Sequence, residues 1–129
     1  MLPAFLSPGE GETITDRPER WVQLKAALDV VSVTESRYGP HEQGPEPHIH
    51  RRHADVFYVL EGELVFRLGP DGEPRRAPAG TLVVVPPNTI HSFSNEGPGD
   101  TRFLNVHAPD ADFAASLRGE TEQWDSFDV

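Results

Sequence analysis

The stretch HIHRRHADVFYVLEG, residues 48–62, decides both the fold and the chemistry that this chain can support. It opens with His48 and His50, and alternate residues of a β-strand point to the same face. The two imidazoles therefore converge on one side, as two ligands of one metal ion must. Asp55 has the wrong parity to join them on one continuous strand. Residues 51–54 are therefore expected to form a turn or bulge that delivers its carboxylate from the next strand.

A second segment, GTLVVVPPNTIH at residues 80–91, adds a third imidazole. Its β-branched and leucine run, residues 81–85, is bounded by Gly80 and Pro86 and is typical of a strand buried on both faces. Residues 86–89 predict a turn that starts a new strand. The imidazole of His91 is then expected to approach the site from across a barrel.

Together the two segments predict one metal site per chain, because each motif occurs once. Neutral imidazoles and a carboxylate suit one divalent transition metal ion, namely Mn, Fe, Co, Ni, Cu or Zn. The predicted ligands are His48, His50, Asp55 and His91. His53 is the alternative ligand, and Asp55 has an alternative role through a water molecule or a hydrogen bond to a ligand imidazole.

These motifs resemble those of the cupin superfamily, over roughly residues 30–110. The first cupin motif has a His-x-His pair, an acid and a closing glycine, and here His48, His50 and Gly62 fit it. The second motif is met by Gly80, Pro86, His91 and Asn95. The resemblance implies a small β-barrel with the metal inside, held by the three histidines and the acid.

The chain departs from the cupin pattern at three positions. Asp55 stands where the family has glutamate, so it must reach one methylene less far. Asn88 stands at a glycine position of the second motif, and Asn tolerates left-handed backbone angles there. The first-motif glycine is displaced, with Gly44 only four residues before His48.

The composition favours many short strands, because 13 prolines and 11 glycines interrupt 129 residues. The expected fold is all-β, a single small β-barrel of the double-stranded β-helix or jelly-roll type with a short C-terminal helix. Residues 56–68 predict a hairpin that turns at Glu61 and Gly62. Residues 113–118 predict the helix, with Gly119 as its C-terminal cap and Asp110 or Asp112 at its start.

The length fits one domain, residues 1–129. Its expected parts are an N-terminal arm at 1–20, a barrel core at about 21–108, and a helix with an acidic tail at 109–129. The arm is expected to be irregular, with one short strand near residues 13–15. The tail carries Trp124 and Phe127 and is expected either to dock or to be partly disordered.

Charge and cysteine content narrow the kinds of partner and of chemical site that this chain can have. The formal charge is −10, from 11 basic and 21 acidic residues, so neither nucleic acid nor an anionic membrane is expected to bind. The absence of cysteine excludes disulfides, thiolate metal sites and cysteine nucleophiles. Residues 1–6 lack the features of a secretory signal, and no apolar run approaches the roughly 20 residues of a membrane span. A cytoplasmic location is therefore expected.

The predicted function is that of a metal-dependent enzyme acting on a small oxygenated organic molecule. Four protein ligands leave one or two positions for a substrate oxygen, water or dioxygen. Within the cupin resemblance, dioxygenase-like and isomerase-like chemistry are both common, and His107 or Tyr58 is the acid–base candidate. The alternative is a non-catalytic cupin that binds a small molecule or sugar and carries a structural metal. The resemblance also leads us to expect a homodimer, which would pair exposed sheet edges.

Overall fold

The computed structural model describes residues 3–129 as two antiparallel β-sheets and one short helix. The strands are β1 Glu12–Arg17, β2 Arg20–Leu28, β3 Val31–Tyr38, β4 His48–Ile49, β5 Ala54–Glu61, β6 Glu63–Leu68, β7 Glu73–Pro78, β8 Leu82–Val85, β9 His91–Ser94, β10 Thr101–Ala108 and β11 Phe127–Asp128. The helix α1 spans Phe113–Leu117. Within residues 3–129, no helix has the length and hydropathy needed to cross a membrane.

The two sheets have the topology of a jelly roll. The larger sheet has the strand order β1-β2-β3-β10-β5-β8, and the smaller has the order β11-β4-β9-β6-β7. Successive stretches of chain alternate between the sheets, which is the arrangement of a double-stranded β-helix. Buried and partly exposed residues alternate strictly along β3 and along most of β10, so alternate side chains of both strands point into the interior. The predicted fold class is confirmed.

The apolar core lies between the sheets and is dominated by aromatic rings. The Phe57 ring on β5 lies 5.0 Å from Phe66 on β6 and 4.9 Å from Phe93 on β9, measured between centroids. The Tyr38 ring on β3 meets Phe103 on β10 edge to face at 5.1 Å. These contacts join the two sheets. They hold the sheets at a spacing that lets inward polar side chains meet at the other end of the interior.

The predicted hairpin at residues 56–68 is wrong. The strands β5 and β6 follow each other in sequence, but β5 pairs with β8 and β10, whereas β6 pairs with β7 and β9. Gly62, between them, has a φ of +76°, and a Cβ there would lie 2.5 Å from the Asp100 carbonyl oxygen. This glycine carries the chain from one sheet to the other. A hairpin turn and such a crossover both favour glycine, so the sequence pattern does not separate them.

The strand at residues 82–85 is also placed differently from the prediction. The strand β8 is an edge of the larger sheet, and Leu82 and Val84 are each 60% exposed, while Val85 is buried. The side chains on both faces of this strand are apolar, yet only one face is covered by other residues. A turn at residues 69–72 joins β6 to β7, a strand that the sequence pattern did not indicate.

The N-terminal arm is more regular than expected. It contributes β1, which pairs with β2 and extends the larger sheet, although the first two residues of the chain lie outside the described residues. The helix α1 follows the prediction closely and is followed by Gly119 at a φ of +74°. The Asp110 carboxylate accepts the Ala114 amide hydrogen at 3.0 Å, so Asp110 is the residue whose side chain caps the helix.

The acidic tail docks onto the smaller sheet. Its strand β11 pairs with β4, with Phe127 opposite Ile49 and Asp128 opposite His48. The tail therefore lies directly beside the strand that carries the His-x-His pair.

Candidate metal centre

The structure brings the four predicted metal ligands together. Each offers one ligand atom, and the four atoms lie within 4.8 Å of one another. His48 on β4 and His91 on β9 are direct Cα partners, so they stand side by side in the smaller sheet. Asp55 belongs to β5 of the larger sheet. The expectation that His91 comes from across the barrel is therefore wrong, and it is Asp55 that belongs to the other sheet.

The turn after His50 lets the Asp55 side chain point to the same site as the histidines. The chain bends at Arg51 and Arg52, and β5 begins at Ala54, so Asp55 points inward from a new strand. Asp55 Oδ2 lies 3.2 Å from His50 Nε2 and 3.1 Å from His91 Nε2. The aspartate therefore reaches the imidazoles even though it is one methylene shorter than glutamate.

All three ligand imidazoles are oriented in the same way. Each uses Nδ1 to bond a main-chain carbonyl oxygen, in the pairs His48–Glu46 at 2.8 Å, His50–Asp125 at 2.8 Å and His91–Thr89 at 2.9 Å. A carbonyl oxygen only accepts, so the hydrogen of the neutral ring sits on Nδ1 and Nε2 presents a lone pair. Three ring nitrogens and a carboxylate therefore converge, and a shared cation would satisfy all four.

Burial sets the charge states that metal ligation requires. It lowers the pKa of His48 to about 4, and the neighbouring imidazole of His91 acts in the same direction. Burial alone would raise the pKa of the Asp55 carboxyl, but His107, His50 and His91 outweigh it and hold this pKa below its usual range. At neutral pH the centre therefore holds a neutral His48 and an ionised Asp55, which are the forms that bind metal.

Two inward residues of β10 also face the carboxylate. The Asn105 amide donates to Asp55 Oδ1, and His107 Nε2 lies 3.5 Å from the same oxygen. Burial lowers the pKa of His107 to about 4. His107, an acid–base candidate from the sequence, forms part of the wall of the adjoining cavity. Asn105 was not predicted as a site residue, and its only signal was that it shares strand parity with His107.

A second group of three histidines shares His50 with the four predicted ligands. One ligand atom from each of His50, His53 and His107 lies within 4.8 Å of the others. His53 is absent from the four-residue group and donates Nδ1–H to Asp125 Oδ2 at 2.8 Å. His53 Nε2 and His107 Nδ1 are buried without a hydrogen-bond partner among the described residues. Asp125 was missed by sequence reasoning.

A cavity of about 310 Å³ opens onto the ligands. His48, His50 and Asp55 form part of its wall. The remaining wall combines aromatic rings with a few polar groups, including Phe93, Phe113, Trp124, Thr34, Asn105 and His107. Its volume lies at the lower end of the range for ligand pockets, so it suits a small molecule.

Residues 34–107 match the family model described as "Cupin domain". A curated relative is quercetin 2,3-dioxygenase from Bacillus subtilis (strain 168), which is 31% identical over 94 residues; the match covers 71% of this chain and 27% of that protein. This chain thus spans only about a quarter of the relative's length.

Two solved structures share the fold. KdgF from Halomonas sp. has a TM-score of 0.75 at 23% identity, covering 88% of this chain and 99% of that one. An RmlC-like cupin from Shewanella frigidimarina NCIMB 400 has a TM-score of 0.68 at 20% identity, covering 84% of this chain and 92% of that one. At these identities the two likenesses concern the fold alone.

Fold and site together define a double-stranded β-helix protein with an inward cluster of histidines and a carboxylate, an arrangement compatible with metal binding. The match over residues 34–107 gives the family: the chain belongs to the cupin domain family. His48, His50, Asp55 and His91 all fall inside the matched range, whereas Asp125 falls outside it.

Proposed function

We propose that this cupin is a divalent-metal-dependent enzyme that acts on a small oxygenated organic molecule by dioxygenase-like or isomerase-like chemistry. The observation that carries the proposal is the convergence of three imidazole nitrogens and one carboxylate beside a cavity. A purely structural metal site is closed by protein on all sides. A cavity against His48, His50 and Asp55 instead leaves room for a substrate next to the ion.

The donor set fits one divalent transition metal ion per chain. His48, His50, Asp55 and His91 would hold it, and imidazole with carboxylate accepts Fe, Mn, Ni, Co, Cu or Zn. When bound, such an ion supplies Lewis acidity and open positions for a substrate oxygen or dioxygen. The carboxylate of Asp55 offsets one of its two charges, and the Asn105 amide holds the other carboxylate oxygen in place.

His107 is the residue placed to accept a proton. Its ring forms part of the cavity wall, and its Nε2 faces Asp55. Its Nδ1 is buried without a hydrogen-bond partner among the described residues. Its lowered pKa leaves the ring neutral at physiological pH and therefore able to act as a base. The other acid–base candidate, Tyr58, is 41% exposed and does not line this cavity, so it has no such role.

The cavity wall narrows the substrate class. Aromatic side chains cover much of it, while polar side chains supply hydrogen-bonding groups, namely Arg20, Thr34, Ser36, Asn105 and Ser126. Such a wall suits a compact, unsaturated molecule with one or two oxygens that can point at the metal. Similarity to quercetin 2,3-dioxygenase supports the dioxygenase arm of the proposal.

The test begins with metal analysis of the purified protein, followed by chelation and reloading with each candidate ion. Dioxygen consumption is then measured with enolic substrates such as flavonols, and isomerisation of enolisable sugars is followed without dioxygen. We expect turnover that requires the metal and that His50→Ala abolishes together with metal content. His41→Ala is the matched control, because His41 is an exposed loop residue outside the cluster.

Two outcomes would contradict the proposal. Turnover that persists in the chelated protein would remove the metal from the mechanism. A loaded protein that binds small molecules or sugars but turns over none of them would favour the non-catalytic cupin.

A further inference from the structure

The segment after the helix, residues 120–129, is here named the C-terminal strap. We propose that Asp125 on this strap is a positioning residue for the metal ligand His50: it fixes the tautomer and orientation of the His50 ring and the turn that leads to Asp55. The proposal rests on the proposed function, because it concerns how the same site is prepared for metal.

The three ligand histidines differ in where their orienting carbonyl comes from. The carbonyl oxygens that hold His48 and His91 belong to residues only two positions earlier in the sequence. The carbonyl that holds His50 belongs to Asp125, 75 positions later. His48 and His91 are therefore oriented by their own local chain, whereas the orientation of His50 depends on the docked strap.

The Asp125 side chain acts on the same turn through three further bonds. Its carboxylate accepts the main-chain N–H of Arg51 at 3.0 Å and of Arg52 at 2.6 Å, and it accepts Nδ1–H of His53 at 2.8 Å. These residues form the turn that changes strand parity between His50 and Asp55. One buried residue thus holds His50 by its carbonyl and the following turn by its carboxylate.

The hydrogen bonds of Asp125 agree with this role. The residue is only 1% exposed, so its carboxylate depends on protein donors. The Arg51 amide donates to Oδ1, and the Arg52 amide and the His53 ring donate to Oδ2. Both carboxylate oxygens are therefore used to hold the turn.

The strap is anchored on both sides of Asp125, so its carbonyl has a defined position. Before it, the Trp124 ring lies 5.1 Å from Phe113 of α1 and 5.3 Å from His50, between centroids. After it, Phe127 lies 3.9 Å beneath the Arg51 guanidinium and pairs with β4. The strap lies wholly outside residues 34–107, the range that matches the cupin domain. The proposed ligands lie within that range, whereas the residue that orients one of them lies outside it.

Two variants and one control separate positioning from packing. Asp125→Ala removes all three carboxylate bonds, and Asp125→Asn keeps the size of the side chain but replaces one acceptor oxygen with a donor. Asp128→Asn is the matched control, because Asp128 is an exposed acid on the same strap. Unfolding temperatures of the chelated proteins identify any variant that fails to fold. If Asp125→Ala fails to fold, Asp125→Asn tests the proposal.

The first readout needs no metal. Imidazole ¹⁵N shifts of the chelated protein at pH 8 report whether the neutral His50 ring carries its hydrogen on Nδ1 or Nε2. We expect Nδ1–H in the wild type and in Asp128→Asn. We expect a mixture of both tautomers in the two Asp125 variants, because the turn at Arg51 and Arg52 loses the carboxylate bonds that hold the His50 ring against the Asp125 carbonyl. The rings of His48 and His91 should stay in the Nδ1–H form in every variant, because their carbonyl partners are local.

The second readout is the metal dissociation constant with Co²⁺, together with its visible spectrum. Groups that orient a ligand typically contribute about 10–100-fold to metal affinity, so we expect a loss of that size in Asp125→Ala and a changed Co²⁺ spectrum. If the Asp125 variants keep the wild-type tautomer and a dissociation constant within about twofold of Asp128→Asn, the positioning role is overturned. If the wild type binds no divalent metal, the proposed function fails, while the tautomer readout still decides the role of Asp125.

Discussion

The two ends of the jelly-roll interior are built by the same strands and are equally buried, yet they are held together differently. Along each strand the inward side chain changes from polar to aromatic over a few residues, as in the pairs Asp55 and Phe57 on β5, His91 and Phe93 on β9, and His107 and Phe103 on β10. The aromatic end gains free energy from ring contacts and apolar burial. At the polar end, burial costs free energy, which hydrogen bonds to carbonyls and carboxylates offset.

The difference teaches that burial alone does not identify the core of this protein. His91 and Phe57 both have 0% exposure, but only the phenylalanine belongs to the apolar core cluster. Fold stability is therefore concentrated at one end and chemistry at the other. Substitutions should separate the two properties.

The largest effect is expected from removing a ligand at the polar end. His48→Ala should abolish metal binding, a greater loss than the roughly 100-fold limit typical of groups that only orient ligands. The unfolding temperature of the metal-free protein should stay within a few degrees of the wild type, because His48 is not a member of the apolar core cluster. Metal analysis and calorimetry of the chelated protein measure both quantities. A variant that unfolds whenever it loses the metal would show that the two ends are not separable.

The next effect concerns the aromatic end. Phe57→Ala should lower the free energy of unfolding by about 3–5 kcal/mol, because a fully buried ring is replaced by a cavity. Val30→Ala is the control, since Val30 is an apolar residue that is 71% exposed and lies away from the edge strand β8. Its cost should be within about 1 kcal/mol. Urea unfolding of the chelated proteins measures the difference, and equal costs would contradict a core confined to the inward face.

A smaller effect is expected at alkaline pH. Burial raises the pKa of Tyr38 from 10.0 to about 12. Between these values the unfolded chain loses the proton and the folded chain keeps it, so stability is complete below pH 10 and falls as pH rises towards 12. The two-unit shift corresponds to about 2.7 kcal/mol at most. Urea unfolding at pH 9 and pH 11.5 should show the loss in the wild type and a smaller one in Tyr38→Phe. Equal losses would remove Tyr38 as the cause.

The smallest energetic effect concerns the outer face of the larger sheet. Leu82 and Val84 on the edge strand β8 are each 60% exposed, and Tyr58, the register partner of Leu82, adjoins them. An exposed apolar patch at a sheet edge fits a second copy of this chain, and we expect the protein to be a homodimer through it. Val84→Glu should halve the mass measured by light scattering after gel filtration, with folding unchanged. Val30→Glu is the control, because Val30 is 71% exposed elsewhere. A wild type that runs as a monomer would contradict the dimer.

Parity along the chain was sufficient to predict much of the site. It placed His48 and His50 on one face, and it required the turn before Asp55 that the structure contains. It did not tell which strands are neighbours, because pairing depends on packing between distant segments. For the same reason the pattern around Gly62 predicts a hairpin turn where the structure has a crossover between the sheets. Asp125 escaped prediction because its bond to His50 uses a main-chain carbonyl, which every residue has, at a distance of 75 positions.

The distant partner of His50 has a consequence for how the protein matures. A chain leaves the ribosome N-terminus first, so the segments that orient His48 and His91 emerge before Asp125 does. The His50 ring gains its fixed orientation only after the strap has been synthesised and has docked. We therefore expect metal loading to be a late step of biogenesis, and we expect a ribosome-bound chain that lacks the strap to capture the ion poorly.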